Sequence, residues 1–144
     1  MAERILEESV TPVCSPGYLT QTGGLTTPAQ LMRCTLLHEV GMLANWEQWF
    51  ALAGLGKKRP PRGPSYSHGS MAVDAAIRGE GVALARSTLV ADDIAMKRLV
   101  APFPELRLKA ERGYDLVYRI GEQNHPKIVA LRQWLNAEVK AFNS

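Results

Sequence analysis

Short apolar runs alternate with segments of helical periodicity along most of the chain, and this alternation limits its possible folds more than any other feature. We expect strands at 5–13, 34–38, 64–67, 82–85, 99–102 and 114–120. We expect helices, with their end residues, at 27–32, 45–54, 67–78, 87–96 and 126–142. Strands and helices alternating at this spacing predict an α/β fold with a largely parallel sheet. Ligands of such sheets bind at the carboxyl ends of the strands.

Composition excludes several classes of protein. The chain has 144 residues, of which 46% are hydrophobic, so it can bury a core and is not a disordered tail. No apolar run approaches the roughly 20 residues of a membrane helix, and the charged start at 1–8 is unlike a secretory signal. Two cysteines cannot form a disulfide scaffold, so we expect Cys14 and Cys34 to be buried free thiols. We therefore expect one soluble, cytoplasmic domain with no membrane partner.

Residues 67–70, Ser-His-Gly-Ser, join a predicted strand to a predicted helix. Free backbone N–H groups at a helix start carry partial positive charge and can bind a carboxylate or a phosphate. The strand ends at 37–38 and 86–87 should lie close by, because the ends of parallel strands share one edge of the sheet. A helix start capped by Ser67 or Ser70, without any ligand, is the alternative interpretation.

Other patterns are weaker signals of chemistry. The three histidines, His38, His68 and His125, lack the spacing of metal ligands, so we expect no metal and no cofactor. No G-x-S-x-G motif is present, and the adjacency of a serine and a histidine in sequence does not by itself place imidazole on hydroxyl. The basic run at 57–62 predicts a solvated loop, with contacts to phosphate groups as the alternative. We therefore expect that the chain is not an enzyme.

Several local patterns predict packing and turns. The stripe of Trp46, Trp49 and Phe50 is typical of a helix face in a core, although Trp46 also lies near the expected crevice. The sequence Gly79-Glu80-Gly81 follows a helix rather than opening one, so it predicts glycines in left-handed conformations at a helix end and not a dinucleotide site. Residues 15–17 predict a turn, and residues 19–26 predict a loop.

An ordered set of segments resembles the effector domain of LysR-type transcriptional regulators, in the branch that includes glycine-cleavage activators. PVCSPGYL at 12–19 is similar to the start of the second half of that domain. The other similar segments are 36–38 (LLH), 46–55 (WEQWFALAGL), 67–72 (SHGSMA), 75–76 (AA), 79–85 (GEGVALA), 99–103 (LVAPF), 126–128 (PKI) and 134–135 (WL). The similarity covers essentially the whole chain.

The resemblance implies a fold like that of type 2 periplasmic binding proteins, in which two α/β lobes hold a small effector in a cleft. On this basis the chain is one partial effector-binding domain. Residues 15–110 would form a complete lobe II, and residues 1–14 and 111–144 would form the crossover strands and a truncated lobe I with its C-terminal helix. Such regulators contact DNA through a helix-turn-helix domain that this chain does not contain.

The resemblance also implies which residues line the cleft. They are Leu37, His38, Trp46, Ser67, His68, Ser70 and Tyr114. The expected effector is a small metabolite with a carboxylate or phosphate group. Because the branch includes regulators of amino-acid metabolism and of β-lactamase induction, an amino acid or a cell-wall peptide is implied. In these regulators effector binding rearranges the subunits of a dimer or tetramer on DNA, and dimers pair through the helix that corresponds to about 71–78.

The last predicted helix has an apolar stripe that lobe I would cover in the complete fold. Exposure of five such side chains would forfeit about 7–15 kcal/mol, at roughly 1.5–3 kcal/mol each. We therefore expect a homo-oligomer, an exchanged terminal helix, or packing of that helix on lobe II. The stripe consists of Ile128, Leu131, Leu135, Val139 and Phe142.

Three functions remain open from the sequence. The first is the effector-sensing part of a LysR-type regulator. The second is a freestanding small-molecule-binding or dimerisation module of the same fold without control of DNA, which could form mixed dimers with a longer relative. The third is an enzyme acting on a small anion, with His68 as base and Ser67 or Ser70 as hydrogen-bond donor.

Overall fold

The computed structural model describes residues 1–41 and 45–144, which form two compact units. The larger unit is Ser9–Ala110, and the smaller unit combines Met1–Glu8 with Glu111–Ser144. In chain order the strands are β1 (Ala2–Leu6), β2 (Ser9–Val13), β3 (Leu36–Glu39), β4 (Ser65–Tyr66), β5 (Val82–Arg86), β6 (Leu108–Lys109) and β7 (Tyr114–Val117). The α-helices are α1 (Pro16–Gln21), α2 (Trp46–Leu52), α3 (Gly69–Ile77), α4 (Ser87–Ala95) and α5 (Pro126–Phe142), and a short 3-10 helix spans Pro28–Arg33.

The sheet of the larger unit has five strands in the order β4-β3-β5-β2-β6. β3 is parallel to β4 and β5, whereas β2 is antiparallel to β5 and β6. Two reversals bring β6 back to the direction of β3, β4 and β5, so the prediction of a largely parallel sheet is wrong only for β2. The apolar runs predict strands that are buried on both faces. They do not indicate the direction in which a strand runs.

Each face of this sheet has its own apolar core, because successive side chains of a strand point to opposite faces. Leu36 and Val82 pack in one cluster with the aromatic residues of α2. Leu37 and Ala83, their neighbours in sequence, pack in a second cluster with the alanines of α3. We call these two sides the α2 face and the α3 face.

Helix α2 begins and ends where the sequence predicts. Asn45 Oδ1 accepts a hydrogen bond from Gln48 N at 3.0 Å, and Gln48 Oε1 accepts one from Asn45 N at 2.9 Å. This reciprocal capping satisfies two backbone donors at the helix start. Gly54 follows the helix with a φ of 78°, a conformation in which a side chain would be strained. The predicted aromatic stripe is confirmed as core and consists of Trp46, Trp49 and Phe50.

Two helix starts differ from the prediction. Helix α1 occupies 16–21, where only a turn and a loop are predicted, because Ser15 Oγ accepts a hydrogen bond from Tyr18 N at 3.1 Å and Pro16 fits the first turn. The first residue of α3 is Gly69, and its N-cap is His68 without a side-chain capping bond. The prediction that a serine caps this helix is therefore wrong.

The two glycines after α3 have different roles. Gly79 has a φ of 78°, so the prediction of a left-handed helix end is confirmed there. Gly81 is not in that conformation. A Cβ on Gly81 would lie 2.5 Å from the Thr35 carbonyl oxygen, so glycine allows the chain to pass close to the residue before β3.

The smaller unit consists of an antiparallel pair of strands, β1 and β7, and helix α5. The single strand predicted at 5–13 is wrong, because β1 and β2 belong to different sheets and the polar Glu7 and Glu8 separate them. Arg132 of α5 donates to Glu3 Oε2 at 2.8 Å and to the Tyr118 hydroxyl at 3.2 Å. These bonds tie the helix to β1 and to the segment after β7.

Helix α5 spans the range that the sequence predicts, but none of its residues is buried. Leu131 is 41% exposed, Trp134 58% and Phe142 46%. Val117 at the end of β7 and Ile120 after it are 72% and 86% exposed. The smaller unit therefore has exposed apolar side chains on its helix and at the end of its strand. Among the described residues, no helix is long and apolar enough to cross a membrane.

Candidate functional site

The carboxyl ends of β3, β4 and β5 meet at one edge of the larger unit's sheet. The structure thereby brings the predicted segments at 37–38, 67–68 and 86–87 to a common edge. At this edge Arg86 Nη2 lies 3.6 Å from Glu39 Oε1. The Glu39 side chain is only 13% exposed, whereas that of Arg86 is 46% exposed, so the pair joins a largely buried carboxylate to an accessible guanidinium.

The start of α3 lies at the same edge and presents polar side chains. Ser67, His68 and Ser70 are all exposed. Ser67 Oγ lies 3.0 Å from His68 Nδ1, so the structure pairs the hydroxyl with the imidazole, which adjacency in sequence alone does not require. A Cβ on Gly69 would lie 2.9 Å from Glu39 Oε2, which places a carboxylate of the chain directly beside the first residue of the helix.

This carboxylate changes the electrostatics of the predicted anion site. A helix start favours negative charge, and Glu39 already supplies one close to it. Arg86 offsets part of that charge. A bound ligand at this edge therefore meets a negative and a positive side chain next to each other, together with the hydroxyls of Ser67 and Ser70.

His38 and Trp46 lie on the opposite side of the sheet. His38 Nε2 is 3.0 Å from the Pro61 carbonyl oxygen, and Trp46 Nε1 donates to the Leu37 carbonyl oxygen at 3.0 Å. Both side chains line a cavity of about 480 Å³ on the α2 face. The cavity also has Arg59 and Arg62 in its wall. The predicted site residues of the larger unit thus form two groups, one on each face.

Two other predicted residues occupy different positions. The Leu37 residue is 1% exposed, and its side chain belongs to the core of the α3 face. Its carbonyl oxygen already accepts the Trp46 indole, so Leu37 supports the strand end without offering a surface. Tyr114 lies on β7 in the smaller unit and is 47% exposed.

The arrangement lacks the parts of a hydrolytic triad among the described residues. Ser67 and His68 form a pair, but no carboxylate hydrogen-bonds to the His68 imidazole. A catalytic serine needs an oriented base and a site for the developing oxyanion. In the described part of the chain, no three His, Cys, Asp or Glu side chains are placed together to hold a metal ion.

Both cysteines are buried and free, as the sequence predicts. Burial raises the pKa of Cys14 to about 11, and the nearby Cys34 adds to the increase. Burial also raises the pKa of Cys34, although Tyr18 and Arg33 act in the opposite direction. A thiol that stays protonated is a poor nucleophile, so neither cysteine is prepared for covalent chemistry.

Three charged residues near these sites were missed as candidates. Glu39 directly follows the predicted strand end at 37–38, and a polar residue in that place is itself a signal of a ligand edge. The sequence predicts a solvated loop at Arg59 and Arg62, with contacts to phosphate groups as the alternative. Their role as cavity walls depends on how closely that loop approaches β3, which its sequence does not reveal.

Comparisons with known proteins agree with the architecture. The family model described as "LysR substrate binding domain" matches residues 1–140. The glycine cleavage system transcriptional activator of Escherichia coli strain K12 is 37% identical over 139 residues, which is 96% of this chain and 45% of that protein. The HTH-type transcriptional regulator DsdC of the same strain is 32% identical over 142 residues, covering 94% of this chain and 45% of that protein.

A solved structure gives the same result for the fold. The effector domain of the transcriptional regulator AmpR of Pseudomonas aeruginosa superposes with a TM-score of 0.74 at 28% identity, covering 97% of this chain and 66% of that domain. The chain therefore spans just under half the length of the curated relatives that it matches. It belongs to the LysR substrate-binding domain family, and its α/β fold is that of the type 2 periplasmic-binding-protein-like effector domains of LysR-type regulators.

Proposed function

We propose that the chain senses a small metabolite as part of a LysR-type transcription regulator and has no catalytic role. The match to the family's substrate-binding domain over residues 1–140 is the observation that supports this most directly. The larger unit would be lobe II, and the smaller unit would contain the crossover strands and the part of lobe I present in this chain. The regulator would act in the cytoplasm and contact DNA through a helix-turn-helix domain outside this sequence.

We propose that the effector binds at the sheet edge where β3, β4 and β5 end. Ser67 and Ser70 would donate hydrogen bonds to a carboxylate or phosphate of the ligand, and the start of α3 would contribute its partial positive charge. His68 would keep Ser67 in place through the observed 3.0 Å contact. His38, Trp46 and the Leu37 carbonyl would stabilise the end of β3.

The Glu39–Arg86 pair favours an effector that has both a negative and a positive group. A ligand with only negative charge would be repelled by Glu39, whose carboxylate lies beside Gly69. A ligand that also has an ammonium group can pair with Glu39, while its carboxylate pairs with Arg86 or with the start of α3. An α-amino acid has both groups on one carbon, so it fits this edge better than a simple carboxylate.

Titration of the ¹⁵N-labelled chain followed by NMR tests the proposed site, with glycine, acetate and inorganic phosphate as probes. We expect glycine to bind more tightly than acetate and to shift the amides of 67–71. Replacing Ser67 and Ser70 together by alanine should weaken binding by about 1–3 kcal/mol, or roughly 0.5–1.5 kcal/mol for each lost hydrogen bond. E39Q should remove the preference for glycine over acetate.

S65A is the matched control, because it also removes an exposed serine hydroxyl close in sequence but from the wall of the α2-face cavity. Glycine affinity in S65A should equal that of the unmodified chain. Unchanged glycine affinity in the S67A/S70A variant would exclude residues 67–70 as the site. A preference for acetate over glycine would refute the role of Glu39.

Transmission of the signal to DNA has a genetic test. An uninterrupted reading frame upstream of the Met1 codon that encodes a helix-turn-helix domain and the start of lobe I would support the proposal. A stop codon and a ribosome-binding site immediately before Met1 would contradict direct control of transcription by this polypeptide.

A further inference from the structure

A cavity on the α2 face of the larger unit has the features of a second ligand site. Its volume is about 480 Å³, which is within the range of pockets that bind small molecules. The loop 59–63 forms one wall, and the start of α2 forms the other. Residues 67–70 are not among its lining residues. The cavity shares His38 and Trp46 with the residues that support the proposed effector site, but it does not include the start of α3, where that effector would bind.

The loop that carries the two arginines is held against β3 by contacts on either side of Arg62. His38 Nε2 lies 3.0 Å from the Pro61 carbonyl oxygen, and His38 N donates to the Pro64 carbonyl oxygen at 2.9 Å. Gly63 passes so close to β3 that a Cβ there would clash with the Leu36 carbonyl oxygen. The loop is thus fixed at the cavity wall, and Pro60 and Pro61 limit the backbone conformations between Arg59 and Arg62.

The guanidinium groups of this wall have no ion-pair partner within the described part of the chain. Neither Arg59 nor Arg62 has an ion pair or a hydrogen bond with a described residue, whereas Arg4, Arg78 and Arg98 each pair with a carboxylate. Glu47 is the acidic residue among those that line the cavity. Two arginines against one carboxylate leave a net positive surface along this open cavity.

Arginine is well suited to bind carboxylate and phosphate groups, because its planar guanidinium donates two parallel hydrogen bonds. Pro60 and Pro61 add apolar surface to the same cavity. We propose that this cavity binds a small organic anion, with its carboxylate or phosphate between Arg59 and Arg62 and its apolar part against the prolines. The site goes beyond the proposed effector site and does not depend on it.

The tryptophan indole signals provide a direct measurement. Trp46 Nε1 donates to the Leu37 carbonyl oxygen next to the cavity, whereas Trp49 Nε1 donates to the Leu106 carbonyl oxygen and Trp134 lies on α5 of the smaller unit. In ¹H–¹⁵N spectra of the full chain at constant ionic strength, we expect benzoate to shift the Trp46 indole saturably and to leave the other two in place. Inorganic phosphate, as a second probe, shows whether a phosphate group alone is sufficient.

Two double variants that lose the same positive charge distinguish binding by the cavity arginines from general attraction of anions to a basic loop. R59Q/R62Q removes the guanidiniums that line the cavity, and K57Q/K58Q removes the same charge from lysines of the same loop that do not line it. We expect R59Q/R62Q to weaken benzoate binding at least tenfold and K57Q/K58Q to change it less than twofold. Both pairs of residues are exposed, so the variants should keep the dispersed spectrum of the folded chain.

Several results would overturn the proposal. They are a linear, non-saturating shift, unchanged affinity in R59Q/R62Q, or equal losses in the two variants. A shift caused by duplex DNA but by neither small anion would assign the arginines to nucleic-acid phosphates instead. The S67A/S70A variant should bind benzoate as the unmodified chain does. Loss of effector binding at the start of α3 can therefore be distinguished from loss of anion binding in this cavity.

Discussion

Cys14 shows how burial of a single titratable side chain links stability to pH. Cys14 is 0% exposed, and burial raises the pKa of its thiol from 9.0 to about 11. Between these two values the unfolded chain releases the thiol proton while the folded protein retains it. Unfolding is therefore favoured increasingly as the pH rises from 9 to 11, and the effect is absent below pH 9.

We expect the free energy of unfolding to fall by roughly 2–3 kcal/mol from this residue across that interval, at 1.36 kcal/mol for each pKa unit. Urea unfolding at pH 8, 9.5 and 10.5 measures the change. C14A should lose stability at pH 8 because of the cavity it creates, but its stability should depend less on alkaline pH. Parallel pH dependences of C14A and the unmodified chain would show that this thiol does not cause the loss.

At the residue scale, the candidate site could be predicted only where a general rule applied. Ser67 and Ser70 are candidates because helix starts and strand ends attract ligands in any α/β sheet. Glu39 was missed because its effect depends on the close approach of its carboxylate to Gly69. Arg62 was missed because a charged loop has the same sequence pattern whether it faces solvent or lines a cavity.

At the scale of elements, α2 separates a buried from an exposed face within one short helix. Phe50 is 0% exposed and packs edge-on against Trp46 at a ring distance of 6.0 Å, whereas Leu52 is 46% exposed. We expect F50A to lower the free energy of unfolding by about 3–5 kcal/mol, the usual cost of removing a buried aromatic side chain.

The matched control is L52A, which removes a large apolar side chain from the same helix. It should change stability by no more than about 0.5 kcal/mol, as surface substitutions generally do. Chemical denaturation followed by tryptophan fluorescence gives both values. Comparable losses in the two variants would contradict the assignment of these faces.

The elements themselves were predictable to different degrees. Helix α5 has the bounds that the sequence predicts, because Pro126 marks its start and apolar residues recur at helical spacing to its end. Helix α1 was missed because the Ser15–Pro16 pair is compatible with both a turn and a helix start. Strand β6 is only two residues long, which is too short for any periodic pattern.

At the scale of the whole molecule, the exposed apolar side chains of the smaller unit predict self-association. Leu131 and Trp134 are 41% and 58% exposed on α5. Burying such side chains contributes roughly 1.5–3 kcal/mol each, so an uncovered helix of this kind favours a partner. We expect light scattering to give a mass above the 15.8 kDa of one chain, increasing with concentration.

W134E should weaken this association at least tenfold, because it places a charge within the contact. Q133E adds the same charge at the adjacent exposed position of α5 and should have a smaller effect. A chain that remains monomeric at all concentrations would refute self-association through this helix. Equal effects of the two variants would indicate that net charge, and not Trp134, determines it.

Ser9 of β2 pairs with Lys109 of β6, and this pairing makes the larger unit suitable for excision or circular permutation. These residues lie at the two ends of that unit, so the chain enters and leaves it on adjacent hydrogen-bonded strands. The unit is thus an insertion whose termini are neighbours. A segment built in this way can be excised, circularised with a short linker or transplanted into another host protein as a cassette, because both cuts fall at one place on its surface.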